Sequence, residues 1–178
     1  MGNYLQLPIG DNSPRVVNAV IEIPAGESNK YEYDKTLDIF RLDRNLHSPV
    51  HYPGDYGFIP QTLAGDGDPL DVLVLVDKPT FTGCLVEVRA IGMLEMSDTG
   101  RRDEKVLGVA SNNPRYRGVK EYTEIHEHQL LEISHFFTTY KDLEGKRAVV
   151  TGWHNVQRAH EVINESHQRY LQNAAAKA

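Results

Sequence analysis

The sequence has few of the features that mark disulfide-bonded, membrane-spanning or secreted proteins. It has one cysteine, Cys84, among 178 residues, so an intrachain disulfide is impossible and a reducing compartment is expected. No apolar run approaches the roughly 18 residues that a membrane-spanning helix needs, so no membrane partner is expected. The beginning, MGNYLQLPIG, has neither the basic nor the apolar segment of a secretory signal peptide. These absences predict a cytoplasmic protein.

Basic residues are in the minority. The chain has 19 Lys and Arg against 25 Asp and Glu, which gives a net charge of −6 with neutral histidines. A general nucleic-acid binder would carry a stripe of positive charge, and the densest basic patch, residues 115–120, is short. We therefore predict no nucleic-acid partner.

Repeats and low-complexity segments are also absent, apart from the terminal NAAAKA. The length suits one domain, and a hydrophobic content of 40% is enough for a normal core. We predict a single domain over residues 1–178, in which the tail from about 172 to 178 is frayed.

The periodicity of the apolar residues changes along the chain. Strand-like, β-branched segments occupy most of the first two thirds and return once later, at 15–24, 30–34, 38–43, 70–77, 84–96, 104–110 and 147–153. Helical spacing predicts helices over 127–143 and 155–171. This order predicts an α+β fold, with a curled or closed antiparallel barrel of about five strands and two flanking C-terminal helices.

The segment DGDPLD, residues 66–71, concentrates three carboxylates around a glycine and a proline. A calcium EF-hand is excluded because the fifth and sixth positions from Asp66 are Leu70 and Asp71, where an Asp or Asn and a glycine are required. No run dense in glutamates follows an Arg-Glu pair, as a Nudix diphosphatase would need. Carboxylates around a rigid turn favour hard divalent cations such as Mg²⁺, which prefer oxygen ligands.

Further motifs occur in an order that matches one known family. They are VIEIPAG, KYEYDK, YPGDYGFIPQTL, DGDPLDV, GMLEMSD with DEK, and HFFTTYKDLEG, and they extend from about residue 15 to about residue 155. With these motifs the chain resembles the family I inorganic pyrophosphatases of bacteria. The resemblance implies an OB-like form of the five-stranded barrel, and an enzyme that hydrolyses pyrophosphate to two orthophosphates.

Matched position by position, the resemblance implies a set of site residues. It makes Asp68 the general base, and Glu32 and Tyr52 supporting residues behind the ligands. The implied metal ligands are Asp66, Asp71, Asp98, Asp103 and Glu22. The implied phosphate-binding residues are Lys30, Arg44, Tyr56, Lys105, Tyr140 and Lys141. Several Mg²⁺ ions per active site are implied as cofactors, with Mn²⁺ or Zn²⁺ as substitutes.

The chemistry of pyrophosphate explains why such a site needs both carboxylates and basic groups. Carboxylates hold divalent cations, and a cation can lower the pKa of water enough to supply hydroxide near neutral pH. Asp68 would accept a proton from that water. The Lys, Arg and Tyr groups would neutralise the leaving phosphate.

One position departs from the family pattern. Many bacterial members carry Glu directly after the aspartate that matches Asp98, whereas this chain has Thr99. We expect a weaker outer contact to a metal there. Two other classes are weighed against the enzyme: an OB-type nucleic-acid binder, which the acidic balance disfavours, and a metal-binding scaffold without catalysis, which the presence of Asp68, Lys30 and Arg44 disfavours.

The resemblance also implies a homohexamer built from two trimers. His135 and Asp142 match positions that make subunit contacts in the family. Phe136 and Phe137 are neighbours in the first predicted helix, so they point about 100° apart, and we expect one of them to meet another element or subunit.

Overall fold

The computed structural model describes residues 3–176, which form eight strands and two α-helices. The strands are β1 (Val16–Ile23), β2 (Asn29–Asp34), β3 (Ile39–Asn45), β4 (Asp55–Ile59), β5 (Leu70–Leu75), β6 (Leu85–Asp98), β7 (Arg101–Ala110) and β8 (Ala148–His154). The helices are α1 (Glu127–Thr139) and α2 (Val156–Ala176). Short 3₁₀ turns occur at Tyr4–Gln6, Pro114–Tyr116, Tyr122–Glu124 and Asp142–Glu144.

Five strands form a closed ring. The order of neighbours is β1, β4, β5, β7 and β6, and β6 returns to β1. The long β6 makes this closure possible because its first part pairs with β1 and its last part pairs with β8. The predicted α+β class with a five-stranded barrel and two C-terminal helices is confirmed.

The predicted all-antiparallel pairing is wrong at one place. β5 and β7 are parallel, with Asp71 opposite Lys105. Parallel neighbours need a long crossover, and here β6 provides it by pairing with β7 on the far side.

The strand β4 was not predicted from the sequence. All five of its residues are buried. Its central Gly57 lies so close to β1 that an added Cβ would stand 1.9 Å from the Val20 carbonyl oxygen. The glycine therefore weakens the strand pattern in the sequence, yet the close approach of two backbones requires it.

The core has two large clusters on opposite faces of the sheet and a small third one around Val20, Tyr33 and Phe58. Side chains alternate along a strand, so Leu73 and Leu75 pack in the cluster that contains α1, whereas Val72 and Val74 pack in the cluster that contains α2. The cluster with α1 reaches the candidate site through Tyr52, Tyr56 and Tyr140.

Both phenylalanines of α1 are buried within the chain. Phe136 is 3% exposed and Phe137 is 1% exposed. The expectation that one of them meets another element or subunit is confirmed in its first form, because rings of Tyr52, Tyr56 and Tyr140 lie 4.7–6.0 Å from the pair within the same chain. The α-helix also ends at Thr139, before Asp142, so His135 and Asp142 do not share one helical face.

The C-terminal helix is longer than predicted. The tail from 172 was expected to be frayed, but α2 continues to Ala176. Its last three residues are alanines, which have the highest helix propensity. Residues 177 and 178 lie outside the described part of the chain. Neither this helix nor any other in residues 3–176 is long and apolar enough to cross a membrane.

Candidate active site

A cavity of about 530 Å³ opens where the barrel meets the β2–β3 hairpin and the end of α1. Almost all of the site residues predicted from the sequence line it: Glu22, Lys30, Glu32, Tyr52, Tyr56, Asp66, Asp68, Asp71, Asp98, Asp103, Lys105, Tyr140 and Lys141. The exception is Arg44, which does not line the cavity. It lies directly opposite Lys30 on the neighbouring strand of the hairpin.

The loop before β5 presents two aspartates to solvent. Asp66 accepts a hydrogen bond from the backbone N–H of Asp68 at 3.0 Å, and Gly67 between them has a φ of +94°. Only glycine adopts such a backbone without strain, and the turn leaves both carboxylates exposed. Two oxygen ligands can therefore face the cavity from one short loop.

The parallel pairing of β5 and β7 brings opposite charges together at the base of the cavity. The Lys105 ammonium lies 2.8 Å from Asp71 Oδ2 and 2.8 Å from Asp103 Oδ1, and it also donates to the Tyr56 hydroxyl at 2.9 Å. Burial alone would lower the pKa of Lys105, but the two carboxylates outweigh it and raise that pKa, so the ammonium keeps its charge.

Burial disfavours the charged form of the carboxyl groups near Lys105. Burial raises the pKa of Asp103 in spite of its pairing with Lys105, and the neighbouring charge of Asp71 adds to that rise. On β1, burial raises the pKa of Glu22 to about 8, although the Tyr33 N–H donates to it at 2.8 Å. Buried carboxylates of this kind are stabilised by additional positive charge.

Basic groups also line the cavity, and each of them is paired with an acidic side chain. Lys141 donates to Asp98, Lys30 donates to Glu32, and the Lys35 ammonium lies 2.7 Å from Asp68 Oδ1. A pocket with this mixture can hold cations through its carboxylates and phosphate oxygens through its ammonium groups.

The donor set fits hard divalent cations. The carboxylates supply oxygen ligands only, and Asp98 Oδ1 is buried without a hydrogen-bond partner among the described residues. Over residues 3–176 no three acidic, histidine or cysteine side chains converge as one ligand group, and two of the aspartates, Asp71 and Asp103, contact Lys105. The histidines, which were not predicted to bind metal, do not line the cavity.

The structure adds residues that sequence reasoning missed. Lys35 and Thr36 in the turn of the β2–β3 hairpin line the cavity beside Asp68. Lys35 is the last residue of the motif KYEYDK. It could have been predicted, because the same motif supplies Lys30 and Glu32. Glu144, which holds Arg44 at 2.9 Å, was also missed.

The departure at Thr99 lies away from the cavity. Thr99 is exposed in the two-residue turn between β6 and β7, and it does not line the site. Its backbone N–H donates to the Arg147 carbonyl oxygen at 3.1 Å.

Comparisons with known proteins agree with this geometry. The family profile described as Pyrophosphatase, inorganic pyrophosphatase, matches residues 19–171. The chain is 49% identical over 157 residues to the inorganic pyrophosphatase of Halalkalibacterium halodurans, which covers 88% of this chain and 96% of that one. It is 52% identical over 155 residues to that of Synechocystis sp., with 87% and 92% covered. The crystal structure of the inorganic pyrophosphatase from Thermus thermophilus superimposes with a TM-score of 0.93 at 47% identity, over 95% of this chain and 99% of that chain.

Proposed function

Because the chain belongs to the inorganic pyrophosphatase family and is an inorganic diphosphatase, we propose that the cavity described above is where it hydrolyses pyrophosphate to two orthophosphates. One observation carries this proposal. Carboxylates and ammonium groups from five strands, the β2–β3 turn, the DGDPLD loop and the segment after α1 meet in a single cavity of about 530 Å³. A cavity with both charges can hold a highly anionic substrate together with its cations.

Divalent cations would be held by the carboxylates of the cavity. Asp71 and Asp103 at the base, Asp66 in the loop, Asp98 at the end of β6 and Glu22 on β1 supply the oxygen ligands. The family implies a divalent metal, and oxygen donors in this arrangement suit Mg²⁺, with Mn²⁺ or Zn²⁺ as substitutes. When bound, such an ion supplies positive charge to the phosphates and lowers the pKa of water.

Asp68 accepts the proton of the attacking water. Its side chain is 68% exposed, and among residues 3–176 its Oδ1 is bound only by the half-exposed ammonium of Lys35. A carboxylate in that position can approach a water molecule without breaking a buried network. This separates its role from that of Asp71, whose carboxylate binds Lys105 and Tyr56.

The phosphates are bound by the basic and hydroxyl groups of the cavity. Lys30, Lys141 and Lys105 provide charge, and Tyr56 and Tyr140 provide hydroxyls, with Arg44 at the rim beside Lys30. Burial raises the pKa of the Tyr56 hydroxyl well above its ordinary value, so this group stays protonated, and its O–H donates to Asp71 Oδ2 at 2.6 Å. Glu32 and Tyr52 support these groups: Glu32 accepts from Lys30, and the Tyr52 ring packs against that of Tyr56 at an angle of 46°, with ring centroids 5.4 Å apart.

A phosphate-release assay with pyrophosphate and Mg²⁺ tests the proposal. The wild-type chain should release orthophosphate only when divalent metal is present. Asp68→Asn should lower kcat by about 10²–10⁴-fold, as loss of a general base does, while calorimetry should show Mg²⁺ binding close to that of the wild type. Asp71→Asn should lose activity and weaken Mg²⁺ binding as well.

Asp77→Asn is the matched control, because Asp77 is an exposed aspartate that pairs with Arg115 and does not line the cavity. It should keep wild-type kcat. Full activity in Asp68→Asn would remove Asp68 from the proposed role, and absence of phosphate release by the wild type would favour a metal-binding scaffold.

The assembly proposed for the chain is a homohexamer, a dimer of trimers. Two leucines beside the positions matched to subunit contacts support it: Leu131 in α1 is 58% exposed and Leu143 is 66% exposed. His135 and Asp142 near them are also exposed. An apolar pair with polar neighbours at a surface suits a contact between subunits.

A further inference from the structure

The Arg44 guanidinium lies between two carboxylates of different exposure. Its Nε donates to Glu144 Oε1 at 2.9 Å, and its Nη1 donates to Asp43 Oδ2 at 2.6 Å. The Glu144 side chain is 5% exposed, whereas that of Asp43 is 31% exposed. The bond to Glu144 is therefore the one that is shielded from water.

Shielding decides which partner sets the orientation of Arg44. Exposed ion pairs contribute little because water competes for both charges, but removing one partner of a buried pair leaves the other without compensation. Lys146, the other basic group at Glu144, is half exposed and lies 3.5 Å from Oε2. Burial alone would raise the pKa of Glu144, but Arg44 and Lys146 together outweigh this effect and lower that pKa. Glu144 is therefore ionised at neutral pH.

The third nitrogen of Arg44 has no partner among residues 3–176. Nη2 is buried and makes no hydrogen bond there, while Nε and Nη1 are both used. The guanidinium is planar and its donors have a fixed geometry, so holding two nitrogens fixes the direction of the third. Such a free donor can bind an anionic oxygen with little further loss of side-chain freedom.

The location of the pair connects it to the cavity. Arg44 lies directly opposite Lys30 in the hairpin, and Lys30 lines the cavity. Glu144 follows Tyr140 and Lys141 in the same short segment after α1. The Arg44–Glu144 bond thus joins the β2–β3 hairpin to the segment that carries two other phosphate-binding residues.

We propose that Glu144 is a positioning residue for substrate binding, which fixes the Arg44 guanidinium so that Nη2 faces a phosphate oxygen of pyrophosphate. This inference rests on the proposed role of Arg44 in binding phosphate. Glu144 is an anion and would repel phosphate, so its expected effect on substrate binding passes through Arg44.

A double-mutant cycle on KM tests this dependence. Glu144→Ala should raise the KM for pyrophosphate about tenfold, with a smaller change in kcat, because hydrogen bonds to charged groups contribute about that factor or more. Arg44→Ala should raise KM at least as much. The double variant should show the KM of Arg44→Ala alone, since Glu144 has nothing left to orient. Binding of inorganic phosphate, followed by calorimetry, should show the same pattern.

Glu144→Gln and Asp43→Ala are the control variants for Glu144→Ala. The Gln side chain keeps a carbonyl oxygen for Nε, so this variant should retain most of the wild-type KM and a thermal midpoint close to the wild type, even if Glu144→Ala folds poorly. Asp43→Ala removes the more exposed carboxylate and should change KM less than Glu144→Ala.

The outcomes separate the two levels of the proposal. If Arg44→Ala keeps the wild-type KM, the assigned role of Arg44 is wrong and the inference is overturned with it. If Arg44→Ala raises KM but Glu144→Ala does not, or if Glu144→Ala raises KM equally in the Arg44→Ala background, Glu144 does not position Arg44 and only this inference is overturned.

Discussion

Thr99 carries backbone strain at a position that the catalytic cavity does not use. Its φ is +49° and that of Gly100 is +82°, so both residues of the β6–β7 turn have the positive φ of a type I′ hairpin. Glycine adopts this conformation freely, but a β-branched residue does so at a cost of about 1–2 kcal/mol.

Thr99→Asn should therefore stabilise the protein. Asparagine tolerates positive φ, and we expect the free energy of unfolding to rise by about 1 kcal/mol in urea titrations. Thr138→Asn in α1 is the control, since Thr and Asn have similar helix propensities, and it should change stability little. A lower midpoint for Thr99→Asn than for the wild type would contradict the assignment of strain to this residue.

Lys35 is a charged residue of the cavity whose ion pair is exposed. Its ammonium lies 2.7 Å from Asp68 Oδ1, and the two side chains are 46% and 68% exposed. An exposed pair of this kind contributes little to stability. Its positive charge at the mouth of an anion-binding cavity should matter more for the substrate.

Lys35→Ala should raise the KM for pyrophosphate a few-fold and leave the thermal midpoint unchanged. Lys78→Ala removes an exposed lysine that does not line the cavity, and it should leave both quantities unchanged. Equal KM values for the two variants would show that Lys35 has no part in binding.

At the scale of elements, the packing of β4 against β1 depends on Gly57. Because a Cβ there would meet the Val20 carbonyl oxygen at 1.9 Å, neither strand can adjust by a side-chain rotation alone. Gly57→Ala should lower the free energy of unfolding by about 3 kcal/mol or more, as a forced backbone shift in a core does. Gly118→Ala is the control, because nothing lies within 4 Å of a Cβ added there. A Gly57→Ala variant as stable as Gly118→Ala would refute the close approach.

The start of α2 is stabilised by a glutamate from another element. Both carboxylate oxygens of Glu121 accept a hydrogen bond from the Val156 N–H at 3.1 Å, and Oε1 also accepts from the Tyr122 N–H. The N–H groups of the first helical turn have no partners within the helix, and a carboxylate there also interacts favourably with the helix dipole.

Glu121→Ala should therefore cost about 1–2 kcal/mol in the free energy of unfolding. Glu127→Ala, which removes an exposed glutamate from the first turn of α1, should cost less, because no hydrogen bond to a backbone N–H accompanies it. Denaturant unfolding of both variants would measure the difference, and equal losses would show that the link between Glu121 and α2 is unimportant.

At the scale of the whole molecule, the proposed hexamer can be tested by light scattering. At pH 7.5 we expect a mass six times the 20.1 kDa of one chain. The double substitution of Leu131→Glu and Leu143→Glu should shift the mass to smaller species, because it puts charge into an apolar contact. Leu171→Glu on α2 is the control for an exposed leucine elsewhere and should keep the mass of the wild type. A wild-type mass near that of one chain would contradict the proposal.

Much of the fold could be predicted from the sequence because long periodic segments carry their own signal. β6 and the two helices are the clearest examples, since their apolar residues recur over many turns or pleats. β4 could not be predicted in this way. Its reason for being a strand is the neighbouring backbone of β1, and that contact joins residues far apart in the sequence.

The candidate site likewise has some features that a local sequence pattern predicts and others that depend on contacts between distant residues. The acidic loop at 66–71 is a local pattern that indicates a cation by itself, and the family resemblance located the residues that now line the cavity. The pairing of Asp71 with Lys105 depends on the parallel register of β5 and β7, which no local pattern contains. Glu144 was missed for a similar reason, because its partner Arg44 lies a hundred residues earlier in the chain.

The closed ring also governs when the enzyme can first work during its own synthesis. The cavity needs Glu22 from the first strand and Lys141 from the segment after α1, so most of the chain must leave the ribosome before the cavity exists. At about 5–20 residues per second, that interval is on the order of ten seconds. β1 can pair with β4 once residue 59 has been made, but the ring lacks β6 until residue 98 and β7 until residue 110. Until the cavity exists, neither substrate nor metal can hold the growing chain in its final shape.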